Sequence, residues 1–283
     1  MTAPHGRRQL HLAAAVDQQS AYDFGSYVEL ARLAESGGLD FVTLGGGFAR
    51  PGPDPLAVLS RVASRTSRIG LVPTVTSSQA QADVATLDRV SRGRAGRRLD
   101  VPAGEGEARL LRHQPVRIVD VADGEAPRAA ARYADVALVG AASAAQASAV
   151  RDRLRALADE SGRDPDTLRV LVSLVVDLGG GEHAAEPGHG GGGPRQTAQG
   201  PFYRGGPVDL AELVAAWHQD GTVDGFHFIP AEPHRDLERL VNGTVALLQH
   251  RGLFRTFYPG STLREHLGLP RPADRYVVSG GTS

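Results

Sequence analysis

The chain has 283 residues, with 31 basic and 32 acidic side chains and a formal net charge of −1. This balance argues against a polyanionic partner, so we expect no nucleic-acid binding. The absence of cysteine excludes disulfides, thiolate metal ligands and a cysteine nucleophile. The apolar stretch Leu10–Val16 is too short for a secretory or membrane segment, so a cytoplasmic protein is expected.

The first 75 residues predict strands of a parallel sheet alternating with helices. A weakly alternating strand at Gln9–Val16 is followed by a helix around Tyr27–Ala34, whose apolar residues recur at helical spacing. Short apolar strands follow at Phe41–Leu44 and Ile69–Pro73, and Asp54-Pro55 between them has the pattern of an N-cap and first helical residue. Short strands that are apolar throughout are typical of a parallel sheet covered by helices on its outside.

The same alternation continues to the C-terminal region. Further strands are predicted at Arg98–Val101, Val116–Val121, Val136–Val139, Leu168–Leu178 and Gly225–Ile229. Further helices are predicted at Gln81–Val90, Glu125–Tyr133, Ala144–Ser161, Asp209–Gln219 and Asp236–Arg251. Eight strands alternating with helices indicate a shortened TIM-type (β/α)8 barrel, with one domain over residues 1–272 and a flexible tail over 273–283. Any chemistry is expected at the carboxyl ends of the strands, beginning at Gly45 and Thr74.

A Gly-rich insertion follows the seventh predicted strand. Gly179–Gly206 is low in sequence complexity and longer than an ordinary connection, which predicts a flexible segment, either a mobile lid or a disordered insertion. His183 and His189 within it could form a metal clip. They lack carboxylate or thiolate partners at a fixed spacing, so a solvated linker is preferred and no metal site is predicted.

Several motifs resemble one enzyme family and occur in the order that the family has. They are Asp54-Pro55-Leu56, Ser67-Arg68-Ile69-Gly70-Leu71, Ala85-Thr86-Leu87-Asp88, Gly93-Arg94-Ala95-Gly96, Ala131-Arg132-Tyr133-Ala134-Asp135, Asp224-Gly225-Phe226, Leu248–Arg255 and Thr262–Leu269. This set is similar to the bacterial-luciferase-like flavin monooxygenases, in the subgroup with nitrilotriacetate monooxygenase, dibenzothiophene-sulfone monooxygenase and pristinamycin synthase. The resemblance implies a TIM-type barrel that binds reduced flavin mononucleotide (FMN) and uses it with dioxygen, the flavin coming from a separate reductase.

The chain departs from this family where the family binds flavin. The family's Ala-Asp at the end of strand two falls at Gly45-Gly46, its Gly-Ser phosphate loop falls at Val121-Ala122-Asp123, and its long insertion with flavin-lining His and Tyr is missing. An aspartate in a phosphate loop repels the dianion that the loop receives. Of the flavin contacts that the resemblance implies, Thr74 in strand three is clearly retained.

Four further residues are site candidates, and each assignment has an alternative. Arg97 and Arg98 could replace the phosphate ligands, since guanidinium groups match phosphate oxygens, but a solvated basic turn is the preferred interpretation. Arg204 is the preferred remaining anion contact, or it simply packs the loop. His227 could point into the barrel as a base or ligand, although a hydrogen-bonded core histidine is commoner.

The favoured function is therefore a two-component, FMN-dependent monooxygenase acting on a small organic substrate. Thr74 would bind the isoalloxazine, and Arg98 or Arg204 the phosphate. The alternative is a non-catalytic barrel that serves as a structural or regulatory subunit of an intact homologue; a small-ligand binding protein is a third possibility. Either a homodimer or a heterodimer with a homologue is expected, because Arg251–Leu269 should cap the barrel and touch a second subunit.

Overall fold

Eight parallel strands form a closed ring in the computed structural model, which describes residues 9–18, 23–45, 53–75, 80–99, 115–121, 126–179 and 193–270. The strands are β1 His11–Ala15, β2 Phe41–Leu44, β3 Gly70–Val75, β4 Gly96–Leu99, β5 Val116–Val121, β6 Val136–Gly140, β7 Arg169–Asp177, β8 Arg195–Thr197, β9 Gly200–Arg204 and β10 Gly225–Pro230. Strands β1 to β7 pair in sequence order, and β10 pairs with both β7 and β1. This second pairing closes the cylinder, so the predicted TIM-type barrel is confirmed.

Helices cover the outside of the ring, and the short last helix lies at its lower end. They are α1 Phe24–Ser36, α2 Pro55–Ala63, α3 Ala80–Ser91, α4 Ala126–Tyr133, α5 Ala144–Glu160, α6 Pro207–Gln219, α7 Pro233–Arg239, α8 Ala246–His250 and α9 Leu263–His266, with a 3₁₀ turn at Pro165–Thr167 and a π-helix at Leu240–Val245. As predicted, Asp54 caps α2: its carboxylate accepts from the Leu56 N–H, and Pro55 is the first helical residue. None of the helices within the described ranges is long and apolar enough to cross a membrane.

The barrel has one apolar core outside the strands and a second one inside them. The inner core contains Phe41, Val72, Ile118 and Leu138 from four strands, and residues of the C-terminal segment join it from below. These are Leu263, Leu267 and Leu269. The prediction that Arg251–Leu269 caps the barrel is therefore confirmed; its contact with a second subunit stays a prediction.

Three buried aspartates connect neighbouring strands at the lower rim of the barrel, and they do so by the same kind of contact. Asp40, Asp135 and Asp224 each stand directly before a strand and accept the backbone N–H of a residue at the start of another strand. Each also pairs with an arginine: Asp40 with Arg255, Asp135 with Arg117 and Arg264, and Asp224 with Arg151. A carboxylate that joins two strands and one cation stabilises the register of the ring.

Strand β4 begins two residues earlier than predicted. It starts at Gly96, which pairs with Val116. The missing side chain permits this close packing, since a Cβ atom would lie 2.9 Å from Val72 Cγ2 and 3.1 Å from Val116 O. Arg97 and Arg98 are 3% and 8% exposed, so the interpretation as a solvated basic turn was wrong. The prediction of a solvated turn was based on the charge of the two arginines. Charge alone does not show whether an arginine side chain is buried in the protein interior.

Part of the predicted flexible insertion is ordered into strands. Strand β9 adds to β7 in parallel and β8 adds to β9 antiparallel, with Val175 opposite Phe202. Tyr203 is 1% exposed, and the Arg195 guanidinium lies 5.4 Å from the Phe202 ring centre. Phe202 and Tyr203 stabilise this hairpin. The high glycine content of the segment had predicted a flexible insertion instead. His183 and His189 lie outside the described residues.

The predicted closing helix at 236–251 is interrupted. It runs as α7, then the π-helix, then α8. Gly243 lies in the π-helix, where a Cβ atom would be 2.5 Å from Pro207 Cβ, and Thr244 donates to the Pro207 carbonyl at 2.9 Å. The wider turn lets this helix approach the beginning of α6 closely.

Candidate functional site

Six polar side chains line the inside of the barrel above its apolar core. They are Thr43, Thr74, Arg98, Asp120, Ser173 and His227, from β2, β3, β4, β5, β7 and β10. Each stands two residues after an inward-facing residue of the inner core or a glycine on the same strand, so the alternation of a strand turns all six inward. We call this set the polar layer. It lies towards the carboxyl ends of the strands, where barrels of this kind carry their sites.

His227 is the centre of the polar layer and is fully buried. Its Nε2 lies 2.9 Å from Thr43 Oγ1 and its Nδ1 lies 3.1 Å from Ser173 Oγ. Its ring stacks above Phe41, with ring centres 6.4 Å apart. Burial, with a smaller contribution from the nearby Arg98 charge, holds the pKa of His227 well below its usual value. The imidazole is therefore neutral at physiological pH, with one nitrogen that donates and one that accepts.

Arg98 and Asp120 form an ion pair beside this histidine. Arg98 Nε lies 2.6 Å from Asp120 Oδ2, and a second guanidinium nitrogen lies 3.0 Å from Oδ1. The Arg98 side chain is 9% exposed and the Asp120 side chain 28%. This two-point contact satisfies the carboxylate and directs the guanidinium into the barrel.

Thr74 stands next to Arg98 in the β3–β4 register. It is 7% exposed, and its Oγ1 has no hydrogen-bond partner among the described residues. A buried hydroxyl without a partner costs about 1–3 kcal/mol. This orphaned hydroxyl is the atom of the polar layer that most directly indicates a missing ligand.

The polar layer is closed on one side of the barrel and open on the other. Ala15 on β1 is 4% exposed, and Thr43 is fully buried. Asp120, Ser173 and, higher in the barrel, Ile229 are partly exposed, and Gly140 at the end of β6 is exposed. A ligand would therefore reach the polar layer over β5, β6, β7 and β10.

Gly45, which follows β2, is tightly packed against its surroundings. Its φ is +96°, and a Cβ atom would lie 2.6 Å from Pro55 Cγ and 3.3 Å from Thr74 Cβ. Its N–H donates to Asp17 Oδ1 at 2.9 Å. A larger residue at this position would press on Pro55 and Thr74.

Arg204 lies apart from the polar layer, at the end of β9. It is opposite Asp177 in the β7–β9 register, and the two side chains pair at 3.4 Å. Arg235 binds the same carboxylate at 2.7 Å. The Arg204 side chain is 54% exposed and stands two residues before Gly206, the N-cap of α6, which provides no side-chain cap. Uncapped N–H groups and an exposed guanidinium are both compatible with an anion.

Of the predicted residues, the structure thus brings together Thr74, Arg98 and His227 and leaves Arg204 on the upper rim. His227 combines both interpretations, since it is a hydrogen-bonded core histidine that points into the barrel. Sequence reasoning missed Thr43, Asp120 and Ser173; the signal was their period-two spacing from inward apolar residues. Residues 122–125, with the expected phosphate loop, lie outside the described residues.

Comparison with known proteins agrees with this fold. A family model described as luciferase-like monooxygenase matches residues 7–99. N-acetyl-S-(2-succino)cysteine monooxygenase of Bacillus subtilis (strain 168) is 32% identical over 130 residues, which are 46% of this chain and 25% of that protein. Nitrilotriacetate monooxygenase component A of Aminobacter aminovorans is 44% identical over 68 residues, 24% of this chain and 15% of that protein. The matched stretches thus span a quarter or less of these relatives.

A solved structure extends the likeness to most of the chain. EDTA monooxygenase from Chelativorans sp. BNC1 superposes with a TM-score of 0.77 at 18% identity, covering 94% of this chain and 100% of that one. At this identity the superposition establishes the fold. With the sequence matches, it confirms the resemblance drawn from the motifs.

Proposed function

We propose that this chain, a relative of the luciferase-like monooxygenases in sequence and in fold, is an oxidoreductase that uses reduced FMN and dioxygen on a small organic substrate. The observation that carries the proposal is the Thr74 hydroxyl, which is buried, has no hydrogen-bond partner among the described residues and stands at the family's threonine position. A ring edge that presents a carbonyl or N–H group would satisfy it.

The residues fit a flavin ring better than they fit its phosphate. Arg98 has two guanidinium nitrogens on Asp120, and a phosphate would have to compete with that carboxylate. Arg204 is the better candidate because its guanidinium is exposed and lies beside the start of α6. A phosphate bound to Arg204 would either displace the Asp177 carboxylate or lie beside it, and the negative charge of Asp177 would repel the phosphate. We therefore expect weaker flavin binding than in a site with a glycine-rich phosphate loop.

When bound, reduced FMN would supply the electrons that activate dioxygen, and the protein would orient the flavin and exclude water from the site. Thr74 would orient the ring by a hydrogen bond. The neutral His227 and the paired Arg98 and Asp120 present little net charge to the bound molecule. The closed β1–β3 side would exclude water.

A flavin reductase is the partner that this function requires, because reduced FMN has to be supplied to the chain from a separate source. The name of one relative, nitrilotriacetate monooxygenase component A, marks that protein as one component of a system. We extend the two-component arrangement to this chain as part of the proposal. A homodimer, or a heterodimer with a homologue, stays a prediction that light scattering would test.

Re-oxidation of reduced FMN tests the proposal without a known substrate. Reduced FMN is mixed with oxygenated buffer while the protein concentration is increased, and flavin absorbance is followed in time. A bound flavin should re-oxidise at a rate that departs from the free rate and saturates with protein. Re-oxidation at the free rate at every protein concentration would contradict the proposal and favour the non-catalytic alternative.

A further inference from the structure

Three side chains of the polar layer form a hydrogen-bonded chain. Thr43 is fully buried, His227 is fully buried, and Ser173 is partly exposed. The chain thus leads from the closed interior to the open side of the barrel. Since His227 sits between two hydroxyl groups, its single proton lies either on Nε2, towards Thr43, or on Nδ1, towards Ser173.

The two tautomers give Ser173 opposite roles. With the proton on Nε2, the Ser173 hydroxyl donates to His227 and keeps its lone pairs for a ligand donor. With the proton on Nδ1, Ser173 accepts from His227 and its own O–H can donate to a ligand. Each hydroxyl can donate and accept, so the exchange needs no net charge inside the barrel. The low pKa of His227 keeps the imidazole in this neutral, exchangeable form.

The surroundings of Ser173 have the composition of a small-molecule site. Val175 and Ile229, opposite each other in the β7–β10 register, stand two residues above Ser173 and His227 and are partly exposed. Gly140, opposite Ser173 in the β6–β7 register, is exposed, and a Cβ atom there would lie 3.5 Å from Pro201 Cδ, so Pro201 bounds the space that the missing side chain leaves. Apolar walls with one oriented polar group are typical of pockets for small organic molecules.

We propose that Ser173, Val175, Ile229 and Gly140 form the substrate subsite, that Ser173 contacts an uncharged polar group of the substrate, and that His227 and Thr43 are positioning residues for its hydroxyl. The substrate class is a small organic molecule with an apolar body and a carbonyl, amide or hydroxyl group. Because Arg98 and Asp120 neutralise each other, a charged substrate group would find no free counter-charge beside Ser173 among the described residues. This inference rests on the proposed function, which requires such a substrate.

The absence of cysteine allows a direct test of access. Ser173→Cys introduces one thiol, and Val172→Cys places the matched control on the same strand, at a fully buried position facing the helices. The native proteins are treated with iodoacetamide. The thiol at 173 should react about 100-fold faster than the thiol at 172, since the latter needs local opening of the barrel. Equal protection of both thiols would overturn the subsite.

The charge preference is tested with the same variant. The ratio of the iodoacetamide rate to the iodoacetate rate at position 173 should exceed that of glutathione by about tenfold, because an anion is disfavoured in a site without counter-charge. A preference for iodoacetate would overturn the uncharged substrate class. Neither reaction needs flavin. If the protein did not alter the re-oxidation rate of reduced FMN, the proposed function would be refuted and the labelling result would still stand.

Nitrogen-15 NMR of the imidazole tests the positioning role. His227 should stay neutral from pH 5 to 8 in the wild-type protein, with Ser173→Ala changing the Nδ1 signal and Thr43→Val changing the Nε2 signal. If His227 only filled space, the loss of one hydroxyl group would not change the signal of one particular ring nitrogen. Titration of His227 near its ordinary pKa of about 6.5 would overturn its proposed role as a neutral positioning residue for Ser173.

Discussion

Replacement of Asp40 by Asn should destabilise the protein strongly although it changes one atom. The carboxylate is fully buried and accepts from the Leu12 N–H at 2.8 Å, from Arg255 at 2.9 Å and from His11 at 3.3 Å. Asparagine has one acceptor oxygen, so its NH₂ group must face one of these donors. Arg255 also loses its negative partner, although it is only 10% exposed.

The size of the effect follows from these contacts. Breaking a buried ion pair by removing one charge costs about 3–5 kcal/mol, which includes the unsatisfied donor that remains. That is a large fraction of the roughly 5–15 kcal/mol by which a folded domain is stable. At roughly 2–4 °C per kcal/mol for a chain of this size, we expect Tm to fall by about 6–20 °C.

Urea unfolding followed by circular dichroism measures this difference, with Asp166→Asn as the matched control. Asp166 pairs with Arg155 at 2.6 Å but is 70% exposed, so its replacement should cost less than about 1 kcal/mol. An Asp40→Asn effect no larger than that of the control would refute the reasoning that the lower-rim carboxylates hold the barrel together.

The effect should also depend on pH in a defined direction. Burial by itself raises the pKa of Asp40, but Arg255 and His11 outweigh burial and hold the pKa below its usual value. The native carboxylate thus stays ionised at a pH where the unfolded one is protonated. Its contribution is fully present above about pH 4, the unfolded pKa, and is lost as pH falls through the folded pKa. The stability gap between wild type and Asp40→Asn should narrow below pH 4 and stay constant above it.

Two further predictions concern a structural arginine and the central histidine. Arg94→Lys should lower the free energy of unfolding in urea by about 2–4 kcal/mol, because the buried guanidinium donates to several backbone carbonyls that a single ammonium group cannot reach together. The control Arg89→Lys changes an exposed side chain and should be nearly neutral. Because folded His227 stays neutral while the unfolded histidine protonates below pH 6.5, wild type should lose about 2 kcal/mol from this residue between pH 6.5 and 5. His227→Asn should lack this part of the pH dependence; parallel stability curves for the two proteins would show that His227 titrates normally.

The sequence was sufficient for the barrel because its buried strands are short apolar runs separated by helix signals. The runs at Phe41–Leu44 and Val136–Val139 agree with the observed strands to within a residue. Strand β4 was harder, since two of its four residues are buried arginines and the ion-pair partner of Arg98, Asp120, lies on another strand. The hairpin of β8 and β9 was hidden by a glycine-rich neighbourhood.

The motifs that carry the family resemblance turn out to be structural. In Ser67-Arg68-Ile69 the backbone N–H groups all donate to the Glu35 carboxylate. Arg94 of the Gly-Arg-Ala-Gly turn binds the Ala63, Ile69 and Ser91 carbonyls, which joins α2, β3 and α3. Thr262 and Glu265 form a capping box at α9. Such motifs report the fold, so they gave little information on the chemistry at the opposite end of the barrel.

The polar layer could be predicted only in part for a different reason. Thr74 was identified by resemblance and His227 by its position between two phenylalanines on one strand. Ser173 looks like an ordinary strand residue until β7 and β10 are placed beside one another, and Asp120 does so until β4 and β5 are, because their significance lies in contacts between strands. One-residue errors in a strand boundary also reverse which side chains face inward.

Anaerobic titration with reduced FMN, comparing wild type, Thr74→Ser and Thr74→Val, tests most directly whether the barrel mouth holds a flavin. Wild type and Thr74→Ser should bind with a Kd well below 1 mM, and Thr74→Val should bind about 5–30-fold more weakly, the equivalent of one buried hydrogen bond of roughly 1–2 kcal/mol. Wild-type binding no tighter than millimolar would contradict the flavin site. Equal affinity of Thr74→Val and wild type would show that the orphaned hydroxyl does not contact the flavin.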